Sequence, residues 1–339
     1  MLKFSRRNCL AAAGAGIIAS PFIRLKSASA AEFAYKYAGN VNADHPLTRN
    51  IAAAADKIRE RTGGRVDIAI FPNSQLGSEM DMLTQVRTGA IEFYTISGLV
   101  LASLVPIASI NGIGFAFPDY PDVWRAMDGK LGEHVRAAID KFGVLTFARI
   151  WSGGYRQVTS SVKPVRTPAD LQGFKIRVPV SPLWTSMFKA FGAAPVSINW
   201  GEVYSSLQTR VVDGQETPLV SIESAKLYEV QKYCSLTNHM WDGFWFLANR
   251  RAFDRLPPDL REIVVTTIND QALAQRAEVE RSNKNLQETL TRLGLVFNAT
   301  ESEPFQEALR KGGFYEEWKG RYGEAAWSLL EESAGRKLS

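Results

Sequence analysis

Two arginines offer this 339-residue chain its clearest chemistry. Arg177 stands in the run Lys175-Ile176-Arg177-Val178-Pro179, a short β-type segment that a proline ends. A guanidinium is always charged and presents a planar fork of donors, so a strand that holds it at a fixed point makes it a carboxylate clamp. Arg156 follows Tyr155 at the end of a strand expected to start near Val144. In parallel α/β sheets ligands bind at the carboxyl ends of strands, so two arginines at neighbouring strand ends would converge on one anion. The competing role for each is a structural salt bridge. Downstream, Val211-Val212-Asp213-Gly214-Gln215-Glu216-Thr217-Pro218 reads as a turn centred on Asp-Gly. Trp151, Tyr155, Trp184, Trp200, Trp241, Phe244 and Trp245 fall in the same stretch, and large apolar walls with a few fixed polar groups are how small-molecule pockets are made. Trp184 and Trp245 are expected in the core. Trp200 precedes a helix at a loop, where an aromatic lid can face a ligand.

Other chemistries lack their residues. There is no phosphate-binding G-x-x-x-x-G-K-S/T, no H-E-x-x-H and no G-x-S-x-G nucleophile elbow. Gly14-Ala15-Gly16-Ile17-Ile18-Ala19 fits a dinucleotide pattern, but no strand precedes it. With only Cys9 and Cys234, paired cysteines at zinc spacing cannot exist, and Cys234 reads as a buried small hydrophobe. His134 belongs on a helix surface, while His45 and His239 sit at element boundaries suited to turn or cap roles. No cofactor, metal or catalytic residue is expected.

The elements that must position the arginines alternate. Strands are predicted over Phe33 to Val41, Val66 to Phe71 and Ala90 to Ile96, with helices from His45-Pro46 to about Thr62 and from Ser78 to Thr88. Such alternation argues for parallel α/β units. Further on, a helix is predicted over Leu131 to Lys141 and a strand over Val144 to Trp151. Then come a helix start at Thr167-Pro168, a strand over Phe174 to Val178 and a helix over Ser181 to Phe191. A helix led by Asn199-Trp200 runs through about Gln208, and Leu236 to Ala248 contains an aromatic strand. Pro257-Pro258-Asp259 opens one long helical pattern to Leu293, stopped by Gly294, roughly 50 Å if unbroken and long enough to bridge two domains.

Residues 1–30 read as an export segment. Arg6-Arg7 is a twin arginine, a short apolar run follows, and Ala28-Ser29-Ala30 is a cleavage site. Lys3, Arg6, Arg7, Arg24 and Lys26 carry the whole formal net charge of +5. The remaining chain is neutral and lacks the basic footprint of a nucleic-acid or anionic-membrane binder. With 45% hydrophobic and 22% charged residues it has the composition of a globular protein large enough for two domains.

The chain resembles the extracytoplasmic solute-binding proteins of tripartite ATP-independent periplasmic (TRAP) transporters, of the dicarboxylate-binding type. The matching pieces are His45-Pro46, Gly63-Gly64-Arg65-Val66, Phe71-Pro72-Asn73-Ser74-Gln75-Leu76-Gly77, Tyr155-Arg156-Gln157, Thr167-Pro168-Ala169-Asp170-Leu171-Gln172-Gly173-Phe174-Lys175-Ile176-Arg177, Asp213-Gly214-Gln215-Glu216 and Tyr228-Glu229-Val230-Gln231-Lys232-Tyr233. They run in order over essentially the whole chain after the export segment.

The resemblance implies an α/β, two-lobe periplasmic binding protein, type II-like, with a hinge, strands crossing between lobes and a long domain-spanning helix. One lobe would comprise residues 31–153 and about 243–285, the other about 154–242 and 286–339. By position, Arg177 would bind the ligand carboxylate, Arg156 would be the second arginine, and Trp200 the aromatic that closes over the ligand. Thr217 stands where the family often has Asn, and Arg210 where it usually has Gly. Glu79, Ser97 and Asn40 are further carried-over ligand positions. The implied protein is a periplasmic monomer that delivers a small organic acid to membrane permease subunits, with no nucleic-acid partner. The tryptophans and Thr217 lean toward an aromatic or short 2-oxo/2-hydroxy monocarboxylate, with sugar acids and C4-dicarboxylates as alternatives. A secreted enzyme acting on an acid and a ligand-sensing module are the competing classes.

Overall fold

The computed structural model describes residues 31–338, so the twin arginine, the cleavage site and the glycine pattern of residues 14–19 lie outside the described residues. Eleven strands form the sheet: β1 (Phe33–Ala38), β2 (Val66–Phe71), β3 (Phe93–Ser97), β4 (Val144–Thr146), β5 (Trp151–Ser160), β6 (Lys175–Val178), β7 (Ala194–Ser197), β8 (Gly214–Pro218), β9 (Tyr233–Leu236), β10 (Trp241–Asn249) and β11 (Val296–Ala299). Their order is β2-β1-β3-β10-β5-β8-β6-β7, with β4 beside β10 and β9 between β5 and β11. The two ends, β2-β1-β3 and β8-β6-β7, are parallel as the alternation predicts. The middle is not: β10 runs antiparallel to β3 and β5, and β5 antiparallel to β8.

Three expectations about these strands need correction. The strand at Val144 stops at Thr146, and Arg156 lies inside the separate ten-residue β5 rather than at a strand end. Arg156 and Arg177 are therefore not on neighbouring strands, because β8 lies between β5 and β6. Gly214, read as a turn, opens β8 instead. The glycine is there for a close backbone approach: a Cβ would stand 2.2 Å from the Thr159 carbonyl oxygen on β5.

Helices hold the ends of these strands. Ser78 caps the helix Glu79–Thr88 in a reciprocal capping box with Asp81, which fixes Glu79 at the first helical position. His45 caps Pro46–Arg61 by accepting the Leu47 N–H, the cap role expected of it, and His134 is exposed on its helix. The helix Pro258–Arg292 is unbroken over 35 residues. Near its middle Gln275 donates to the Ser152 carbonyl and accepts the Ser152 N–H, so a buried amide rivets the helix to β5. Apolar cores lie along the sheet. Tyr35, Phe93, Phe246 and Phe253 pack with Ile51 and Val264 in one, and Val203, Val220, Cys234 and Leu286 pack in another.

Candidate functional site

Arg177 is the third residue of β6 and is 1% exposed. Its Nε donates to the Ile198 carbonyl at 2.9 Å, which aims the guanidinium past the end of the strand. Its buried Nη1 finds no hydrogen-bond partner among the described residues. The Trp200 ring, carried on the turn Trp200–Glu202 after β7, stands 5.7 Å from the guanidinium carbon. Burial pulls the Arg177 pKa down to about 10, against the attraction of Glu79 and Glu216. A buried cation with open donor positions is costly in isolation and well prepared for a carboxylate.

Arg156 is in the opposite condition. Its Nε and Nη2 grip Glu216 at 2.5 and 2.8 Å, and Nη2 also donates to the Glu216 carbonyl at 2.7 Å. Its Nη1 donates to Asp242 at 2.9 Å. The Trp184 ring lies 4.5 Å from its guanidinium carbon. The register explains the pairing: Arg156 faces Pro218 and Val158 faces Glu216, so Arg156 and Glu216 are diagonal neighbours on one face of the β5–β8 ladder. Glu216 is held further by His239 Nε2 at 3.1 Å, whose Nδ1 meets the Thr237 hydroxyl at 2.8 Å. Burial pushes the His239 pKa down, so the ring is neutral at pH 7. Burial alone would raise Glu216, but Arg156 and His239 outweigh it and keep the carboxyl low.

Both arginines line one cavity. All seven predicted positions line it: Asn40 after β1, Glu79 at its helix start, Ser97 at the end of β3, Arg156, Arg177, Trp200, and Thr217 on β8. Asn40 Nδ2 donates to Glu79 Oε1 at 2.7 Å, while Asn40 Oδ1 and Glu79 Oε2 are buried without hydrogen-bond partners among the described residues. Ser97 Oγ donates to Asp242 Oδ1 at 2.8 Å and accepts the Leu99 N–H. Burial raises the Glu79 pKa despite Arg177, and raises Asp242 to about 6 despite Arg156 and Ser97.

Sequence reasoning passed over Asp242 and Ser221, which also line the cavity together with Phe244 and Trp184 from the aromatic cluster. Asp242 had a signal, as the single acid in the otherwise uncharged, fully buried strand Trp241–Asn249. Trp184 is fully buried as expected, yet forms cavity wall beneath Arg156, whereas Trp151, Trp241 and Trp245 are core. The role of His239 as partner of Glu216 was also passed over. No group of three or more potential metal ligands occurs among the described residues.

The family model for bacterial extracellular solute-binding protein, family 7, matches residues 37–315. The 2,3-diketo-L-gulonate-binding periplasmic protein YiaO of Escherichia coli is 34% identical over 255 residues, 75% of this chain and 77% of that protein. A TRAP periplasmic solute-binding protein of Sulfurospirillum deleyianum, solved with succinate, superposes with a TM-score of 0.85 at 26% identity, over 91% of this chain and all of the other. One from a Sulfitobacter species, solved with β-D-galacturonate, gives 0.84 at 28% identity over 89% and 99%.

Proposed function

The chain belongs to the bacterial extracellular solute-binding protein family 7, and from that membership we propose that it captures a small organic acid by seating its carboxylate on Arg177. The observation that carries this reading is the buried Arg177 guanidinium, whose Nη1 has no hydrogen-bond partner among the described residues and whose edge lines the cavity. Arg156 supports the site from behind. Four of its five N–H groups are taken up by Glu216 and Asp242, so at most one Nη1 hydrogen remains for a ligand. The family is one of solute-binding proteins rather than enzymes, so the acid is released unchanged.

The open hydrogen-bonding positions favour a hydroxylated monocarboxylate, from a short 2-hydroxy acid to a sugar acid, over an aromatic acid. Besides Arg177 the cavity presents acceptors that ask for O–H groups: Asn40 Oδ1, Glu79 Oε2 and the remaining lone pair of Ser97. One relative is named for binding 2,3-diketo-L-gulonate, and two similar structures hold bound succinate and β-D-galacturonate.

The protein acts in the periplasm as a monomer after twin-arginine export, and passes its ligand to TRAP permease subunits. Two lobes, residues 31–153 with about 243–285 and about 154–242 with 286–339, close on the acid about a hinge. Support for the hinge is that β5 pairs with β10 over Trp151–Tyr155 and with β8 from Arg156 onward.

The test is a thermal-shift screen of organic acids on the purified protein. A ligand at about a hundred times its Kd stabilises by about 2.7 kcal/mol and raises the melting temperature. Hydroxy monocarboxylates should give the shift, and Arg177→Ala should abolish it. A shift from neutral sugars but from no carboxylate would sink the reading.

A further inference from the structure

We propose that Asp242 sets the charge of the ligand, allowing one carboxylate into the cavity and turning away a second. This rests on the reading that Arg177 seats the ligand carboxylate, with the wall that carries Asp242 meeting the rest of the molecule.

That wall is built by four strands. Asp242 on β10 takes Arg156 Nη1 from β5 on one carboxylate oxygen and the Ser97 hydroxyl from the end of β3 on the other. Glu216 on β8 holds the rest of the same guanidinium, with neutral His239 behind it. One cation thus faces two acids, and Arg156 has no net charge to offer a ligand. Glu79 stands near Arg177, so the charged side chains of the site are Arg156, Arg177, Glu79, Asp242 and Glu216. A second carboxylate on the ligand would meet Asp242 or Glu79 with no free cation among the described residues that line the cavity. A hydroxyl in that place would meet acceptors.

Hydrogen-bond polarity points the same way. Ser97 spends its only proton on Asp242 and one lone pair on the Leu99 N–H, so toward the cavity it can only accept. An asparagine at position 242 would keep its carbonyl on Arg156 Nη1 and turn its NH₂ toward Ser97. The serine proton would then be released toward the cavity. The substitution removes a negative charge and adds a donor, both favourable to a second carboxylate. Size does not make the distinction, since an aldonic acid and the aldaric acid of equal length differ by one oxygen and two hydrogens. Burial holds the Asp242 carboxyl near pKa 6, so lowering the pH protonates the same wall.

The experiment is calorimetric titration of the full protein with matched pairs, threonate against tartrate and gluconate against glucarate, for wild type and Asp242→Asn at pH 8. We expect wild type to prefer the monoacid of at least one pair by at least about tenfold in Kd. In Asp242→Asn that ratio should narrow about tenfold, mainly through gain of the diacid. The wild-type ratio should also narrow at pH 5, and should do so in Glu79→Gln, where Asp242 remains the titrating acid on the cavity wall. This arm does not need Asp242→Asn to fold. A diacid bound as tightly as its monoacid partner by wild type, or a ratio unchanged both in a folded Asp242→Asn and at pH 5, overturns the proposal. If none of these acids binds wild type, or Arg177→Ala binds them unimpaired, the carboxylate reading itself fails and this inference goes with it.

Discussion

Arg156 and Arg177 are buried to similar degrees but in opposite electrostatic states, and that difference predicts different costs of removal. Arg156→Ala leaves Glu216 and Asp242 buried without their cation, which should destabilise the ligand-free protein by about 3–5 kcal/mol. Arg177→Ala removes a charge that burial already penalises and that has no direct ion-pair partner among the described residues. It should cost at least about 2 kcal/mol less than Arg156→Ala while abolishing ligand response. Urea unfolding of the two variants decides this, and equal losses would make Arg177 structural. Asp242 adds a pH term. Its folded pKa of about 6 lies above the usual value of about 3.9, so its contribution is full below the latter and is lost as pH rises through 6. The stability of Asp242→Asn relative to wild type should therefore climb between pH 4 and 7. Glu216, held low, works in the opposite sense, and its contribution is lost as pH falls. A flat difference across that range would place Asp242 outside the titrating set.

The strands and helices carry these residues with few spare contacts, and the rivet between β5 and the long helix is the most exposed to test. Gln275→Leu keeps the bulk but strands the N–H and C=O of Ser152, each formerly paired with the amide. It should cost about 1–3 kcal/mol, read by the same unfolding assay, and a neutral result would mean that β5 is held by its ladders alone. The long helix was legible in the sequence because both ends are marked, Pro258 at the first turn and Gly294 past the last. β5 was not, because Gly153-Gly154 breaks any propensity pattern, and Gly154 does take a left-handed φ of +113°. The diagonal pairing of Arg156 with Glu216 depends on a register between segments 60 residues apart, which composition and periodicity do not encode. Arg177 could be read from its local strand and Trp200 from its loop. Asn40, Glu79 and Ser97 carry no local mark, and only the family resemblance pointed to them.

At the scale of the molecule the site depends on segments far apart in the chain meeting over the cavity, and the proposed closure ties affinity to contacts the ligand never touches. Asn42 is one such contact. It lies in the loop after β1, outside the residues that line the cavity, and its Nδ2 donates to the Ser224 carbonyl at the end of the helix Leu219–Ser224. By the proposed division these two residues belong to different lobes. The bond would then exist in the closed arrangement and be lost in the open one. A bond made only in the ligand-binding arrangement shifts the opening equilibrium, and apparent affinity falls with the closed fraction. One hydrogen bond contributes about 0.5–1.5 kcal/mol, so Asn42→Ala should raise Kd by about two- to tenfold. It should do so for every ligand of the protein alike, since no ligand group is involved. Titration of the variant with two acids checks both the size and the uniformity of the loss. An unchanged Kd would remove Asn42 from the closing contacts. A loss confined to one acid would place position 42 in the binding surface instead.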